Sequence, residues 1–260
     1  MGNTNDDKKQ GIDAYDYLKM AQRAQDVKEA VSYAKQALSL DPYCLDAELV
    51  IAQARSDDME ALKKNIERVI SKGEDQLLQR KISMIEEAGR FYDIAETRPY
   101  MRVRKAYLEL LLVQGRYRHA IREAEEMIWL NENDDMRVRY LLMALYSYFE
   151  EEESADILLE KYPEDTAFML LPLIALYYKL ENDKMMKRYL NRLQEKNPHV
   201  IEALEMFMEG AETEKMEAIL STSIYSSFSL EEVVLALTEE MFLYMPMNGF
   251  LDRLYDVLTE

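Results

Sequence analysis

Only one cysteine, Cys44, and two histidines, His119 and His199, occur in 260 residues. A lone thiol excludes an intramolecular disulfide, and the three residues together fall short of the four N/S ligands of an ordinary structural zinc site. Glycine and proline number 7 and 6, about half of ordinary usage, which argues against sandwiches and barrels with their frequent turns. No glycine-rich loop of the phosphate-cradling kind is present. The longest apolar run, 12 residues from Ala167 to Tyr178 and interrupted by Pro172, is well under the roughly 20 that a membrane-spanning helix needs. Met1-Gly2-Asn3-Thr4-Asn5-Asp6 has none of the apolar core of a secretory signal. Positive charge is also scarce. With 32 Lys+Arg against 50 Asp+Glu, the net charge of −18 disfavours nucleic acid and anionic membrane as partners. The expectation is a cytoplasmic protein with no membrane segment, metal or cofactor.

What is present is helical pattern. A hydrophobic share of 48% is enough for a core. Beyond a polar tail over residues 1–10, apolar residues recur at helical spacing in stretches of about 10 to 20 residues, the usual globular helix length. Short polar or proline-bearing joints separate them: Asp41-Pro42-Tyr43, Ser56-Asp57-Asp58, Lys72-Gly73-Glu74, Glu96 to Pro99, Gln114-Gly115, Asn131 to Asp135, Tyr162 to Asp165, Glu181 to Asp183, Lys196 to Pro198 and Ser226 to Ser229. Asp57/Asp58, Thr97, Asp165/Thr166 and Ser229 supply helix-capping oxygens. The fold class read from this pattern is all-α, with neighbouring helices antiparallel.

The hairpins also repeat. The tetratricopeptide unit is a 34-residue helix–turn–helix with small residues where its helices touch and a proline at its end. With Pro42 on that ending, Ala30 and Ala37 fall on small positions and Leu38, Leu40 and Asp41 on the terminal ones. A second unit runs through Tyr107-Leu108, Leu111, Gly115, Tyr117, Ala120 and Ala124 to Leu130-Asn131, with Glu132 in place of the proline; further units end at Pro163 and Pro198. Each such hairpin leaves an apolar face for the next to cover, so the expected architecture is a tetratricopeptide-like α-solenoid over 11–210 with capping helices over 211–260.

Glu96-Thr97-Arg98-Pro99-Tyr100-Met101-Arg102, Gly115-Arg116, Glu126-Met127, Arg139-Tyr140-Leu141-Leu142, Leu158-Leu159 and Asn197-Pro198-His199-Val200 form an ordered series. That series resembles the uncharacterised bacterial tetratricopeptide-like relatives of the suppressor-of-tumorigenicity-seven family. The resemblance implies an α-helical repeat protein, and no activity comes with it.

Charge is the most informative local feature. From Arg98 to Arg122 seven basic residues meet one acid, Glu109, in an otherwise acidic chain. Arg98, Arg102 and Lys105 stand at i, i+4 and i+7, on one helix face. In a tetratricopeptide hairpin the first helix lines the concave wall, which would hold Arg102, Lys105 and Glu109, with Arg139 and Met143 from the next unit. Converging Arg and Lys would bind a carboxylate of a peptide; the alternative is that these cations neutralise acids on neighbouring hairpins, such as Glu150 to Glu153. Met143, Tyr146, Phe168 and Tyr178 would line the same groove if exposed, or pack the core.

The Met241, Met245 and Met247 cluster reads as a turn around Pro246 and Asn248-Gly249 rather than a soft-metal site. Phe242, Tyr244, Phe250 and Leu254 either cap the repeat or make a homodimer. Cys44 reads as a small buried apolar residue and His199 as a helix-start residue, so no catalytic residue is assigned. The reading is a non-enzymatic scaffold or adaptor that binds a peptide or protein segment. The alternatives are a receptor sensing a signalling peptide and a dedicated chaperone for a basic client.

Overall fold

The computed structural model describes residues 12–209, 214–222 and 224–260; the expected tail over residues 1–10 lies outside them. Among the described residues there is no strand, only an isolated antiparallel bridge between Arg90 and Asn131. The chain falls into two compact units, Met1–Met136 and Arg137–Glu260.

The first unit contains α1 (Ala14–Arg23), α2 (Val27–Leu40), α3 (Leu45–Ala54), α4 (Met59–Gln79), α5 (Arg98–Val113) and α6 (Tyr117–Leu130). Each helix packs on the next, and α1 also meets α3, as α3 meets α5. Local chemistry sets most starts. Asp13, Asp26 and Asp58 each accept backbone N–H bonds in the first turn of α1, α2 and α4, and such a cap contributes about 1 kcal/mol. Thr97 precedes α5 without capping it; its hydroxyl is buried and donates to the carbonyls of Phe91 and Ile94.

The joint expected at Lys72-Gly73-Glu74 does not exist, because α4 runs unbroken through it. The reason is tertiary. A Cβ on Gly73 would lie 2.7 Å from the Tyr100 ring and 3.1 Å from Leu45, so glycine is there to let α5 approach α4. Tyr100 is fully buried and meets Phe91 edge-on at 6.1 Å. Gly89, with φ +85°, accepts from Glu132 N and donates to Trp129 O (2.8 and 2.9 Å), tying the segment between α4 and α5 to the end of α6.

The second unit contains α7 (Val138–Tyr148), α8 (Glu152–Lys161), α9 (Ala167–Lys179), α10 (Asp183–Lys196), α11 (Val200–Glu209), α12 (Glu214–Leu220), α13 (Leu230–Glu239), α14 (Met241–Tyr244) and α15 (Phe250–Thr259). At its centre lies α9, packed against α7, α10 and α13. Every residue from Ala167 to Tyr177 is buried, Pro172 included. A helix apolar all round is stable only when surrounded, which is why the longest apolar run marks the core of this unit.

Two backbone motifs recur. After α4, α5, α7 and α9 the chain turns through a left-handed residue, Lys81, Gly115, Glu150 and Glu181, and Ile82 N reaches back to Leu77 O after the first of these. In each case the following N–H reaches back five residues: Arg116 to Leu111, Glu151 to Tyr146, Asn182 to Tyr177, the usual left-handed helix ending. In contrast α2, α6, α8 and α10 end in an extended residue, Asp41, Asn131, Tyr162 and Asn197, with ψ between 79° and 103°. Three of these precede proline, which requires an extended predecessor; Asn131 has the same conformation ahead of Glu132.

Candidate functional site

Within the first unit α1, the start of α3, the end of α4 and the start of α5 surround a cleft of about 530 Å³. Its walls include Tyr15, Tyr43, Cys44, Asp46, Gln76, Arg80 and Arg102. Arg102 grips Asp46 with two bonds, Nε to Oδ1 at 2.8 Å and Nη2 to Oδ2 at 2.5 Å. This bidentate geometry is the strongest form of the pair, and the Asp46 side chain is almost wholly buried. The Arg80 guanidinium lies 5.5 Å from the centre of the Tyr43 ring, and the Tyr43 hydroxyl faces Gln79 at 3.3 Å. The Cys44 thiol is half-buried, and burial pushes its pKa up, so it is no activated nucleophile.

Gln76 is the unusual member. The residue is 7% exposed, and its Nε2 has no hydrogen-bond partner within the protein. A buried donor without an acceptor costs about 1–3 kcal/mol. That atom has almost no accessible surface, so it reaches an acceptor in the cleft only when the side chain turns outward.

The basic stretch is largely satisfied from within its own unit. Arg98 donates to Tyr92 O at 2.9 Å and Lys105 to Met136 O at 3.1 Å. Arg104 is buried between Glu123 (2.5 Å) and Glu126 (2.8 Å), and Arg116 pairs with Glu60. The acids come from α3, α4 and α6. Burial works against the Arg104 charge, yet its bonds to Glu126 and Glu123 hold it protonated, and Arg104 holds the Glu126 carboxyl below the usual glutamate range. A carboxylate clamp centred on Arg102 is therefore filled already by Asp46. Glu109 is exposed on α5.

The remaining expected groove residues belong to the second unit. Arg139 is held by Glu164 (2.9 Å) and the Tyr140 hydroxyl (3.0 Å), with its guanidinium 4.4 Å from the Tyr140 ring centre. Tyr140 stacks on Phe168 at 5.1 Å. Met143, Tyr146 and Phe168 are buried, so they pack the interior and do not form an open wall. Tyr178 stands at the edge of the core, against Phe250 at 5.1 Å, with its hydroxyl 3.4 Å from Asn248 O. Tyr244, Phe250 and Leu254 are buried as well, and Phe242 packs against Tyr148 at 5.9 Å.

Sequence reasoning thus located Arg102 but missed Asp46, Gln76, Arg80 and Tyr43. Nothing local distinguishes Gln76 from any other helical glutamine; only the packing of α3 and α5 around it removes its water. No protein-family model matches the chain, and no curated protein matches it in sequence.

Proposed function

We propose that the protein is a tetratricopeptide-like solenoid of helical hairpins, related in kind to the suppressor-of-tumorigenicity-seven family, and that it works as a non-enzymatic interaction module. Support for the repeat comes from the helix endings between α5 and α10, left-handed after α5, α7 and α9 and extended after α6, α8 and α10; α1 and α4 do not follow this alternation. Contacts of α1 with α3, α3 with α5 and α7 with α9 agree with it, since stacked hairpins bring every second helix together. In that reading the first helices of successive hairpins line the binding surface. The cleft of the first unit draws walls from α1, α3 and α5, with Gln76 and Arg80 added from the end of α4.

The function that follows is capture of an extended peptide segment of another protein in this cleft. The carrying observation is Gln76 Nε2, a buried donor without an acceptor. A peptide carbonyl would satisfy it once the side chain turns into the cleft, while the exposed ring of Tyr43 and the guanidinium of Arg80 offer a stacking surface. Because Asp46 already occupies Arg102, recognition of a free carboxylate is not the primary mode.

Selection of a random displayed-peptide library on the whole protein tests this. Enriched peptides should lose at least tenfold in affinity to Q76L and to Y43A, with the helical circular dichroism unchanged. Failure to enrich any peptide, or enriched peptides that bind both variants as well as the parent protein, overturns the proposal.

A further inference from the structure

A second cavity, about 500 Å³ and wholly within the second unit, lies among α11, α12, α13, α14 and α15. This volume is within the range of ligand sites, roughly 300–1,000 Å³. Five of the chain's 17 methionines line it: Met208, Met216, Met241, Met245 and Met247. Its polar lining is largely turned elsewhere. Thr238 donates to Val234 O at 2.8 Å and Tyr244 to Glu240 at 2.7 Å, leaving Asn248 and Asp252. Met245 is 75% exposed, and Met208, Met241 and Leu220 are each about 40% exposed. Exposed apolar side chains gathered around a cavity mark a binding surface, and unbranched thioether chains reshape to fit different apolar surfaces.

Charge narrows the occupant. Over residues 200–260 the sequence holds thirteen acids and two bases, Lys215 and Arg253. Both bases are already paired, Lys215 with Glu202 and Arg253 with Asp183. Glu232 and Glu240 are enclosed, but Glu205, Glu217, Asp252 and Asp256 stand exposed on α11, α12 and α15, so the helices around the cavity carry net negative charge. An uncharged apolar molecule would use the methionines and ignore that field. A second copy of this chain, at −18, would be repelled by it.

We propose that this cavity docks the apolar face of a cationic amphipathic helix from a partner protein. Apolar side chains at i, i+3 or i+4 and i+7 enter the methionine-lined space, and Lys or Arg on the flanks meet the acids of the surrounding helices. The site is separate from the peptide cleft of the first unit, and the inference stands whether or not that cleft binds anything.

Fluorescence anisotropy of a labelled Leu/Lys amphipathic helix against the whole protein tests it, beside a scrambled helix and one with Ser for Lys. The Leu/Lys helix should bind best and weaken as salt rises. M245E and D252K, both at exposed positions, should each reduce affinity at least fivefold, and M241E with M245E at least twentyfold. A second readout needs no variant: bound helix should protect Met245 and Met241 from mild peroxide oxidation. Equal binding of the Ser-substituted or scrambled helix, displacement by a neutral alkyl probe without salt dependence, unprotected methionines, or self-association through this surface would overturn the proposal.

Discussion

The two units differ in how they enclose carboxylates. In the first, buried or half-buried arginines are matched to acids brought from distant helices: Arg102 to Asp46, Arg104 to Glu123 and Glu126. The second also matches Arg139 to Glu164, but its centre is a helix apolar on every side, and two glutamates, Glu232 and Glu240, are enclosed without a cation. Burial pushes both carboxyls above the usual range, Glu240 well above it despite its bond from Tyr244. Paired charges keep a unit specific about which helices meet, whereas enclosed carboxyls tolerate burial by staying neutral.

The largest test of this contrast is Arg104→Ala. It strands Glu123 in a site where its side chain is 11% exposed, and breaking a buried pair from one side costs about 3–5 kcal/mol. Urea unfolding followed through the first unit's peptides should show this loss. A loss below about 1 kcal/mol would mean that the pair contributes no more than a surface bridge.

Acidity should separate the units next. Glu126 has a lowered pKa in the fold, so its contribution is present above the ordinary glutamate value of about 4.3 and is lost as pH falls through the folded value. Glu240 has a raised pKa; its contribution is fully present below that ordinary value and is lost as pH rises toward the folded one. Segment-resolved hydrogen exchange, corrected for intrinsic rates, should show the first unit loosening on acidification and α13–α14 loosening on alkalinisation. E240Q should weaken the second trend, E232Q with E240Q should abolish it, and both should leave the first. Persistence of the alkaline trend in the double variant would assign it elsewhere.

Gly73→Ala is expected to have a smaller effect. Helix propensity favours alanine by about 1 kcal/mol, but overpacking against the enclosed Tyr100 ring costs about 1–3 kcal/mol, so the net should be a modest destabilisation. Calorimetry of G73A alone and with Y100L checks the cause, because the smaller neighbour should relieve the alanine. Smallest is Gln76→Leu. Exchanging an unpaired buried donor for an apolar side chain of similar size should leave stability unchanged or raise it by up to about 1 kcal/mol, while peptide capture falls. A clear destabilisation would mean that Gln76 has a partner in solution.

Residue by residue, legibility followed range. Asp26, Asp58 and Ser229 cap helices through bonds to residues two or three positions on, so their roles are written locally. Pro42, Pro163 and Pro198 constrain only their predecessors, and those endings were readable too. Gly73 was misread because a glycine needed for close approach looks the same in sequence as one needed for a turn. The spacing of Arg98, Arg102 and Lys105 correctly placed them on one helix, but each found a different partner, and Asp46 lies 56 positions from Arg102. Met143 and Phe168 carried no sign of which way their helices would face.

The amino-acid order alone determined that this chain is helical, where most helices begin and end, and that α9 must be enclosed, since propensity, capping and hydrophobic periodicity act within a turn or two of chain. Tertiary packing decided which cations are matched, which methionines reach solvent and that Gln76 loses its water without gaining an acceptor. Those outcomes depend on distances between residues dozens of positions apart, and burial, unlike helical period, belongs to no residue until its neighbours arrive.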